Sequence, residues 1–118
     1  MQPKDVLGRE GEQAAAEYLA SQGMRILARN WRCSEGEIDI VAAEGRVLVV
    51  CEVKTRSSAR YGTPLEAITR QKQRRLRRLA VRWLTAHGVL FHEVRIDVIG
   101  LVRDRDGGFT LEHVRGVG

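Results

Sequence analysis

The spacing of apolar residues along the chain predicts two helices and five strands. In two segments apolar residues recur three or four positions apart, as on one face of an α-helix. In five shorter segments they alternate with polar residues or cluster with β-branched ones. The predicted helices cover 5–22 and 64–87, and the predicted strands cover 25–32, 37–42, 46–54, 93–102 and 108–115. This order, α-β-β-β-α-β-β, predicts an α/β sandwich with a central mixed β-sheet flanked by helices.

Local residues mark the start and end of the second helix and the turn of the central hairpin. Thr63 offers an N-cap hydroxyl, Pro64 suits the first helical position, and Glu66 completes a capping box. Gly88 is well placed to end this helix. Between the second and third predicted strands, Glu44-Gly45 predicts a two-residue hairpin loop.

That loop determines which side chains share a face of the sheet. It places Asp39 opposite Val50, and Glu37 opposite Glu52. Opposed residues point to the same face, so Asp39, Glu52 and Lys54 are expected to project from one face, with Asp39 and Glu52 as diagonal neighbours. A four-residue loop over 43–46 leaves the same register, whereas a loop with an odd number of residues could break it.

Two or three carboxylates on one strand face form an unusual group. Like-charged carboxylates held this close repel, and one takes up a proton unless a cation lies between them. Lys54 supplies one positive charge, and carboxylate oxygens suit Mg²⁺ or Mn²⁺. Such a site could act on a phosphate. An isolated Glu-x-Lys on a strand, by contrast, is usually only a solvated strand face.

The net charge of +5, from 20 basic and 15 acidic residues, comes from one segment. Residues 70–82 contain seven basic residues and no acidic one, which leaves 13 basic against 15 acidic residues elsewhere. Because these arginines have no acidic neighbour one helical turn away within the segment, a polyanion is the favoured partner; a solvated helix face is the alternative. Lys72 lies on the apolar stripe and should point toward the sheet, as a second site lysine or a snorkelling stem. The candidate nucleic-acid-binding residues are Arg56, Lys72, Arg74, Arg75, Arg78 and Arg82.

Length and composition exclude several classes of protein. A length of 118 residues predicts a single domain over 1–118, and a hydrophobic fraction of 43% excludes a disordered chain. No uncharged run approaches the roughly 18 residues of a membrane span, and the N-terminus lacks the apolar core of a signal peptide. A cytoplasmic protein without membrane association is therefore expected. Two cysteines and three histidines show no zinc-ligand spacing.

The acidic residues and the lysine match a known pattern. Asp39, an interval of twelve residues, and then Glu52-Val53-Lys54 resemble the core of PD-(D/E)xK nucleases, although Gly36-Glu37-Ile38 stands where the proline of the name would lie. Six segments resemble the YraN-type family of small bacterial endonuclease-like proteins, which is similar in fold to archaeal Holliday-junction resolvases. These segments are GREGEQAAAEYL (8–19), ILARNWR (26–32), GEIDIVA (36–42), VCEVKTR (50–56), YGTPLEAI (61–68) and RIDVI (95–99).

The resemblance implies a restriction-endonuclease-like sandwich and a metal-dependent nuclease that hydrolyses phosphodiester bonds in DNA, with branched or flapped DNA as a candidate substrate. Asp39 and Glu52 would be metal ligands for Mg²⁺ or Mn²⁺, and Lys54 would be the catalytic lysine. Glu12 matches an acidic residue of the first helix that can complete the metal site, and Glu37 is a secondary candidate. Junction resolvases act as dimers, which makes a homodimer a candidate assembly.

Two other functions are compatible with the sequence. The chain could be a nucleic-acid-binding module that keeps the nuclease fold but has little or no catalytic activity, because fold does not establish activity. It could also be a protein-interaction subunit whose basic helix meets an acidic partner. Asp97, beside Arg95 on a predicted strand, is expected to form a structural salt bridge, and Cys51 is expected to be a small core residue.

Overall fold

The computed structural model describes residues 3–58 and 68–117, which form two helices and five strands in the predicted order. Except at the start of the second helix, the observed ends lie within two residues of the predicted ones. The elements are α1 (Pro3–Ser21), β1 (Arg25–Cys33), β2 (Gly36–Glu44), β3 (Val47–Arg56), α2 (Arg70–His87), β4 (Glu93–Arg103) and β5 (Phe109–Val114).

Helix α2 begins later than predicted. Ile68 and Thr69 are not helical, and the Thr69 hydroxyl caps the helix by accepting a hydrogen bond from the Lys72 backbone N–H at 3.0 Å. The predicted start signal at Thr63, Pro64 and Glu66 lies outside the described residues. At the other end the prediction is confirmed, because Gly88 adopts the left-handed conformation (φ 62°) and its N–H bonds to the Leu84 carbonyl. No helix in the described ranges is long and apolar enough to cross a membrane.

The five strands form one mixed sheet in the order β1-β2-β3-β4-β5. Neighbouring strands are antiparallel except for β3 and β4, which are parallel and are joined through α2. Helix α1 covers one face, where Ala15 and Leu19 pack on Val49 in what we call the α1-side core. Helix α2 covers the other face, where Leu76 and Leu79 belong to the α2-side core. The chain thus forms an α/β structure with a sheet between two helices.

The hairpin between β2 and β3 has a different loop from the one predicted. Glu44 pairs with Val47, so the loop residues are Gly45 and Arg46, and the predicted pairing of Asp39 with Val50 is wrong. Gly45 has a positive φ of 58°, which fits the first position of a type II′ loop. The pairing is displaced by two residues, an even number, and this brings Asp39 closer to Glu52 along the strands than predicted.

The regular alternation of side chains breaks at Asn30 and Asp39, which lie between the Arg29–Ile40 and Trp31–Ile38 pairs of β1 and β2. Asn30 has a φ of 52°, in the left-handed region that few non-glycine residues adopt. Ile38 packs in the α2-side core and Ile40 in the α1-side core, although residues two apart in a regular strand face the same side. This irregularity allows the Asp39 side chain to reach clefts on both faces of the sheet.

Candidate active site

Asp39 lies at a fork between β2 and β3. The backbone pairing of these strands runs from Glu44–Val47 only as far as Ile40–Cys51, while β3 continues along β4 to Arg56. Beyond the last pair, the Val53 N–H donates a hydrogen bond to Asp39 Oδ2 at 2.8 Å. The carboxylate therefore takes the place of a backbone acceptor, and this contact fixes its position next to β3.

Glu52 lies beside Asp39 and holds two lysines. Its side chain is 9% exposed, and its Oε1 lies 2.9 Å from Lys72 Nζ and 3.5 Å from Lys54 Nζ. Lys54 comes from the same strand, and Lys72 comes from the first turn of α2. The prediction that Lys72 points toward the sheet is confirmed, and its ammonium forms the shorter of the two contacts. Asp39, Glu52 and Lys54 are brought together as the spacing suggested.

The negative charge of Asp39 is only weakly stabilised by its surroundings, although the side chain is largely buried. Loss of solvent and the neighbouring charge of Glu52, with smaller contributions from Glu12 and Glu37, raise the pKa of Asp39 to about 7. The hydrogen bond from Val53 opposes the rise without cancelling it. A carboxyl group with this pKa changes its charge near neutral pH, a property that is concentrated at functional sites.

The two lysines differ in their electrostatic environment. Burial and the adjacent Lys72 lower the pKa of Lys54. Burial also acts to lower the pKa of Lys72, but the hydrogen bond and charge of Glu52 outweigh it, so the pKa of Lys72 is raised. Lys72 is thus the firmly protonated partner of Glu52, while Lys54 gives up its proton more readily than an ordinary lysine.

Glu12 reaches the site from α1, and one of its carboxylate oxygens has no partner. Its Oε1 atom is buried and makes no hydrogen bond within the described residues. Burial raises the pKa of Glu12, with Glu37 adding to the rise, and Arg29 and Asn30 oppose it. A buried oxygen without a donor is costly and needs an explanation. A bound cation is one that its chemistry fits.

The close approach of α1 to β3 depends on Gly11. A Cβ atom at this position would lie 2.1 Å from Thr55 Oγ1 and 2.8 Å from Thr55 Cβ, far inside contact distance. The absence of a side chain at Gly11 therefore lets the helix lie against the strand that carries Glu52 and Lys54. The neighbouring Glu12 is positioned by this contact.

Asp39 lines two clefts, one on each face of the sheet. The α1-side cleft has a volume of about 510 Å³ and also includes Glu12, Lys54, Thr55 and Arg56. The α2-side cleft has a volume of about 230 Å³ and includes the remaining site residues Glu37, Glu52, Lys72 and Arg75. Both clefts contain carboxylates and basic side chains, as a site for a phosphate and a cation requires.

Glu37 lies farther from the centre than predicted. It pairs with Arg32 on β1 through a contact of 2.5 Å, and it does not lie opposite Glu52. It still lines the α2-side cleft. Glu37 is therefore a peripheral member of the site, in keeping with its secondary rank in the prediction.

The predicted basic surface follows the exposed side of α2. Arg74, Arg75 and Arg78 are exposed and form no ion pair within the described part of the chain. Arg82 differs, because it forms a salt bridge of 2.9 Å with Glu35 in the turn between β1 and β2. Lys72 differs as well, since it is committed to Glu52. The basic helix is thus only partly neutralised by the protein itself.

The residues present fit a Mg²⁺ or Mn²⁺ ion in part. Carboxylate oxygens are the right donors, Glu12 carries a buried oxygen without a partner among the described residues, and loss of solvent and the charge of Glu52 raise the pKa of Asp39. No three His, Cys, Asp or Glu side chains in residues 3–58 and 68–117 form a group able to hold a metal ion. The fit is therefore to an ion held by two carboxylates at a time, as Mg²⁺ often is when a phosphate completes its coordination.

Sequence reasoning missed Asn30 as a site residue. Asn30 helps to lower the pKa of Glu12, and it lies on β1 between the residues that pair with Ile40 and Ile38, on either side of Asp39. The residue type could have indicated this position, because asparagine is several-fold enriched among non-glycine residues in the left-handed conformation. Within a segment that otherwise reads as a strand, this preference indicates an irregular position.

A family comparison places the chain among known sequences. Residues 11–101 match the model described as "Uncharacterised protein family UPF0102". A UPF0102 protein from a Nocardioides species is 58% identical over 115 residues, which is 98% of this chain and 93% of the relative. UPF0102 proteins from an Arthrobacter species and from Beutenbergia cavernae are 55% and 52% identical over 118 residues, 100% of each chain. The chain therefore belongs to the UPF0102 family.

Proposed function

We propose that this protein is a metal-dependent nuclease that hydrolyses phosphodiester bonds in DNA, with a restriction-endonuclease-like fold of the PD-(D/E)xK type. The observation that carries the proposal is the position of Asp39 at the fork between β2 and β3, next to Glu52 and its two lysines. This pattern of acidic residues and lysine on adjacent strands is the one that the sequence shares with these nucleases.

The chain's own residues have distinct roles in the proposed reaction. Water attacks the phosphorus and loses a proton as the new P–O bond forms, while the P–O ester bond breaks and the leaving oxygen takes up a proton. Lys54 orients the water and stabilises the charge that develops on the phosphate, since its side chain lines the α1-side cleft. Lys72 holds Glu52 in position through its 2.9 Å contact.

A divalent cation would be held by Asp39 together with Glu52 or Glu12. Mg²⁺ or Mn²⁺ bound there would supply positive charge to the phosphate and lower the pKa of an attacking water. The same charge would stabilise the ionised form of Asp39, whose pKa is raised to about 7. We therefore expect metal binding to strengthen as the pH rises toward neutrality.

The basic helix supports a nucleic acid as the substrate. Arg75 lines the α2-side cleft, and Arg74 and Arg78 lie exposed on the same helix. Contacts of this kind bind the phosphate backbone without reading sequence. Branched or flapped DNA is the proposed substrate form, because the nuclease resemblance includes junction resolvases.

The test is cleavage of linear, flapped and four-way-junction DNA in the presence of Mn²⁺. We expect cleavage by the wild type and a loss of about 100-fold or more in Asp39→Asn and in Lys54→Met, as when a charge-stabilising group is removed from an active site. Glu112→Gln changes an exposed carboxylate on β5 and serves as the matched control with unchanged activity. Cleavage that survives in Asp39→Asn would show that the site is assigned to the wrong residues.

A second function is favoured by one observation. Glu52 Oε1 already contacts two ammonium groups, and the described residues contain no metal-binding group of three. A nucleic-acid-binding module with little or no catalytic activity would need no more than this. Salt-dependent retention of DNA, together with no Mn²⁺ binding by calorimetry and no cleavage, would establish this alternative. Absence of any nucleic-acid binding at low salt would instead indicate a protein-interaction subunit.

A further inference from the structure

A further cleft, of about 1030 Å³, lies at the opposite end of α2 from the candidate active site. Its walls come from the start of β1, the loop between β2 and β3, the last turn of α2 and residues 89–92. Lys72 and His87 are separated by about 22 Å along the helix axis at 1.5 Å per residue. The cleft is therefore a separate feature, and its role is independent of the proposed nuclease activity.

Uncovered aliphatic side chains surround this cleft. Leu90 is 98% exposed, and Val89 and Leu27 are 39% and 36% exposed. These are three of the five large hydrophobic side chains exposed in the described chain. A contiguous group of exposed apolar residues marks an interaction surface more often than scattered ones do.

The segment that carries Leu90 is fixed at both ends. The Val89 N–H bonds to the Leu84 carbonyl at 3.4 Å, and the His92 N–H bonds to the Arg46 carbonyl at 2.9 Å. The side chains of Arg46 and His92 also hydrogen-bond at 3.0 Å. Because these contacts hold the wall in place before any partner arrives, little conformational entropy remains to be lost on binding.

The charge around the cleft has one sign. Arg25 and Arg46 line it, together with His87 and His92, and none of the described residues that line it is acidic. The buried Trp83 forms part of the wall, and its Nε1–H has no acceptor among the described residues. Basic groups around an apolar surface match a ligand that carries both apolar groups and carboxylates.

We propose that this cleft binds an acidic, amphipathic peptide segment of a partner protein. The apolar side chains of the segment pack against Leu27 and Leu90, and its carboxylates pair with Arg25 and Arg46. A nucleic acid strand fits less well, because base stacking uses aromatic rings and the large hydrophobic side chains most exposed here, Leu90, Val89 and Leu27, are aliphatic. A lipid surface also fits less well, because a flat bilayer does not fill a concave cleft.

The test begins with a phage library of random dodecapeptides selected on the folded full chain, with the enriched peptides then measured by fluorescence anisotropy. We expect enrichment of peptides that combine Asp or Glu with Leu, Ile, Phe or Trp. Leu90→Asp should weaken their binding about tenfold or more, a loss of about 1.4 kcal/mol. Leu90 is almost fully exposed, so this change leaves folding intact. Arg46→Glu should also weaken binding.

Matched changes outside the cleft serve as controls. Val81→Asp introduces the same charge at an exposed hydrophobic residue that lies on α2 outside the cleft, and Arg105→Glu reverses an exposed charge outside the cleft. Both should leave binding unchanged. The proposal is overturned by failure to enrich any peptide, by peptides without acidic residues, or by equal losses in Leu90→Asp and Val81→Asp. It is also overturned if Leu90→Asp instead abolishes binding of oligo-dT, of phosphatidylglycerol vesicles, or of a second copy in light scattering.

Discussion

Two aspartates of the same sheet have opposite electrostatic behaviour. Asp97 on β4 is completely buried, and the pKa of its carboxyl is lowered, because hydrogen bonds from Arg95, Gly116 and His113 outweigh its loss of solvent. Asp39 on β2 is partly exposed to solvent, yet its pKa is raised to about 7. The depth of burial therefore does not determine the direction of the shift; the number and charge of the partners do.

The partners explain why only one of the two aspartates is a candidate for chemistry. Arg95 donates two hydrogen bonds to Asp97, at 2.9 and 3.1 Å, and the Gly116 N–H donates a third at 3.0 Å. His113 Nε2 lies 2.8 Å from the same carboxylate. This is the structural salt bridge expected from the sequence, extended into a network. Asp39 has one N–H donor and acidic neighbours, so it has capacity left for a cation.

Replacing each aspartate with alanine gives the largest expected effect. Asp97→Ala should lower the free energy of unfolding by about 3 kcal/mol, because it leaves Arg95 and the Gly116 N–H without their buried acceptor. Asp39→Ala should cost less than about 1 kcal/mol, since the lost hydrogen bond is offset by relief of repulsion from Glu52. Urea denaturation at neutral pH measures both values. Similar losses of unfolding free energy in the two variants would contradict the proposed difference between Asp97 and Asp39.

The position of Glu12 depends on Gly11, and this can be tested with a second glycine of the same helix. Gly11→Ala should destabilise the protein by about 2 kcal/mol, because the new methyl group overlaps Thr55 and pushes α1 away from β3. Gly8→Ala is the matched control. No atom of the described residues lies in contact within 4 Å of a Cβ at Gly8, so alanine should stabilise the helix by up to about 1 kcal/mol.

The same two glycine variants test the link between the helix and the site. If Glu12 helps to hold a cation beside Asp39, calorimetry should show weaker Mn²⁺ binding in Gly11→Ala and unchanged binding in Gly8→Ala. Equal stability changes in the two variants would contradict the close approach of α1 to β3, in which a Cβ at Gly11 would lie only 2.1 Å from Thr55 Oγ1.

The sequence predicted the order of the elements and the shared location of Asp39, Glu52 and Lys54, because both depend on periodicity. It misplaced the hairpin loop by one residue, since Glu44-Gly45 was preferred over Gly45-Arg46 although only the latter places glycine first in the loop. The error left the faces unchanged because the pairing shifted by two residues.

Other features depend on contacts between distant segments and could not be read from local patterns. The irregular position of Asp39 coincides with the left-handed conformation of Asn30 on a neighbouring strand. The salt bridge between Arg82 and Glu35 joins the last half of α2 to a turn 47 residues earlier. The position of Arg82 on the helix predicted that its side chain is exposed, but not that it forms a salt bridge with Glu35.

The raised pKa of Asp39 predicts a pH dependence that Asp97 does not share. The folded-state value of about 7 lies above the ordinary value of 3.8, so ionisation of Asp39 disfavours folding. The penalty is absent below about pH 4, grows as the pH rises toward 7 and is constant above it. Asp39→Asn removes the penalty, so its stability relative to the wild type should improve between pH 4 and pH 8 by at least about 1.4 kcal/mol, the equivalent of one pKa unit.

Urea denaturation across this range measures the difference, with Asp97→Asn as the contrasting variant. The pKa of Asp97 is lowered, so its ionised form stabilises the fold, and the cost of Asp97→Asn should shrink as the pH falls below about 4. If Asp39→Asn shows no change in relative stability between pH 4 and pH 8, the two aspartates would not differ in the way proposed.

The two lysines extend the contrast to the partners of Glu52. Lys72→Met should cost about 1 kcal/mol, because it removes the shorter contact to a nearly buried carboxylate, whereas Lys54→Met should cost little. The raised pKa of Lys72 means that its contribution is present below its ordinary pKa of 10.5 and is lost at higher pH. The lowered pKa of Lys54 has the opposite effect on stability, because its charged form is disfavoured in the folded state.

Urea denaturation of both variants at neutral pH distinguishes a lysine that stabilises the site from one that is available to a substrate. A larger loss of stability in Lys54→Met than in Lys72→Met would mean that Lys54, and not Lys72, holds Glu52 in place.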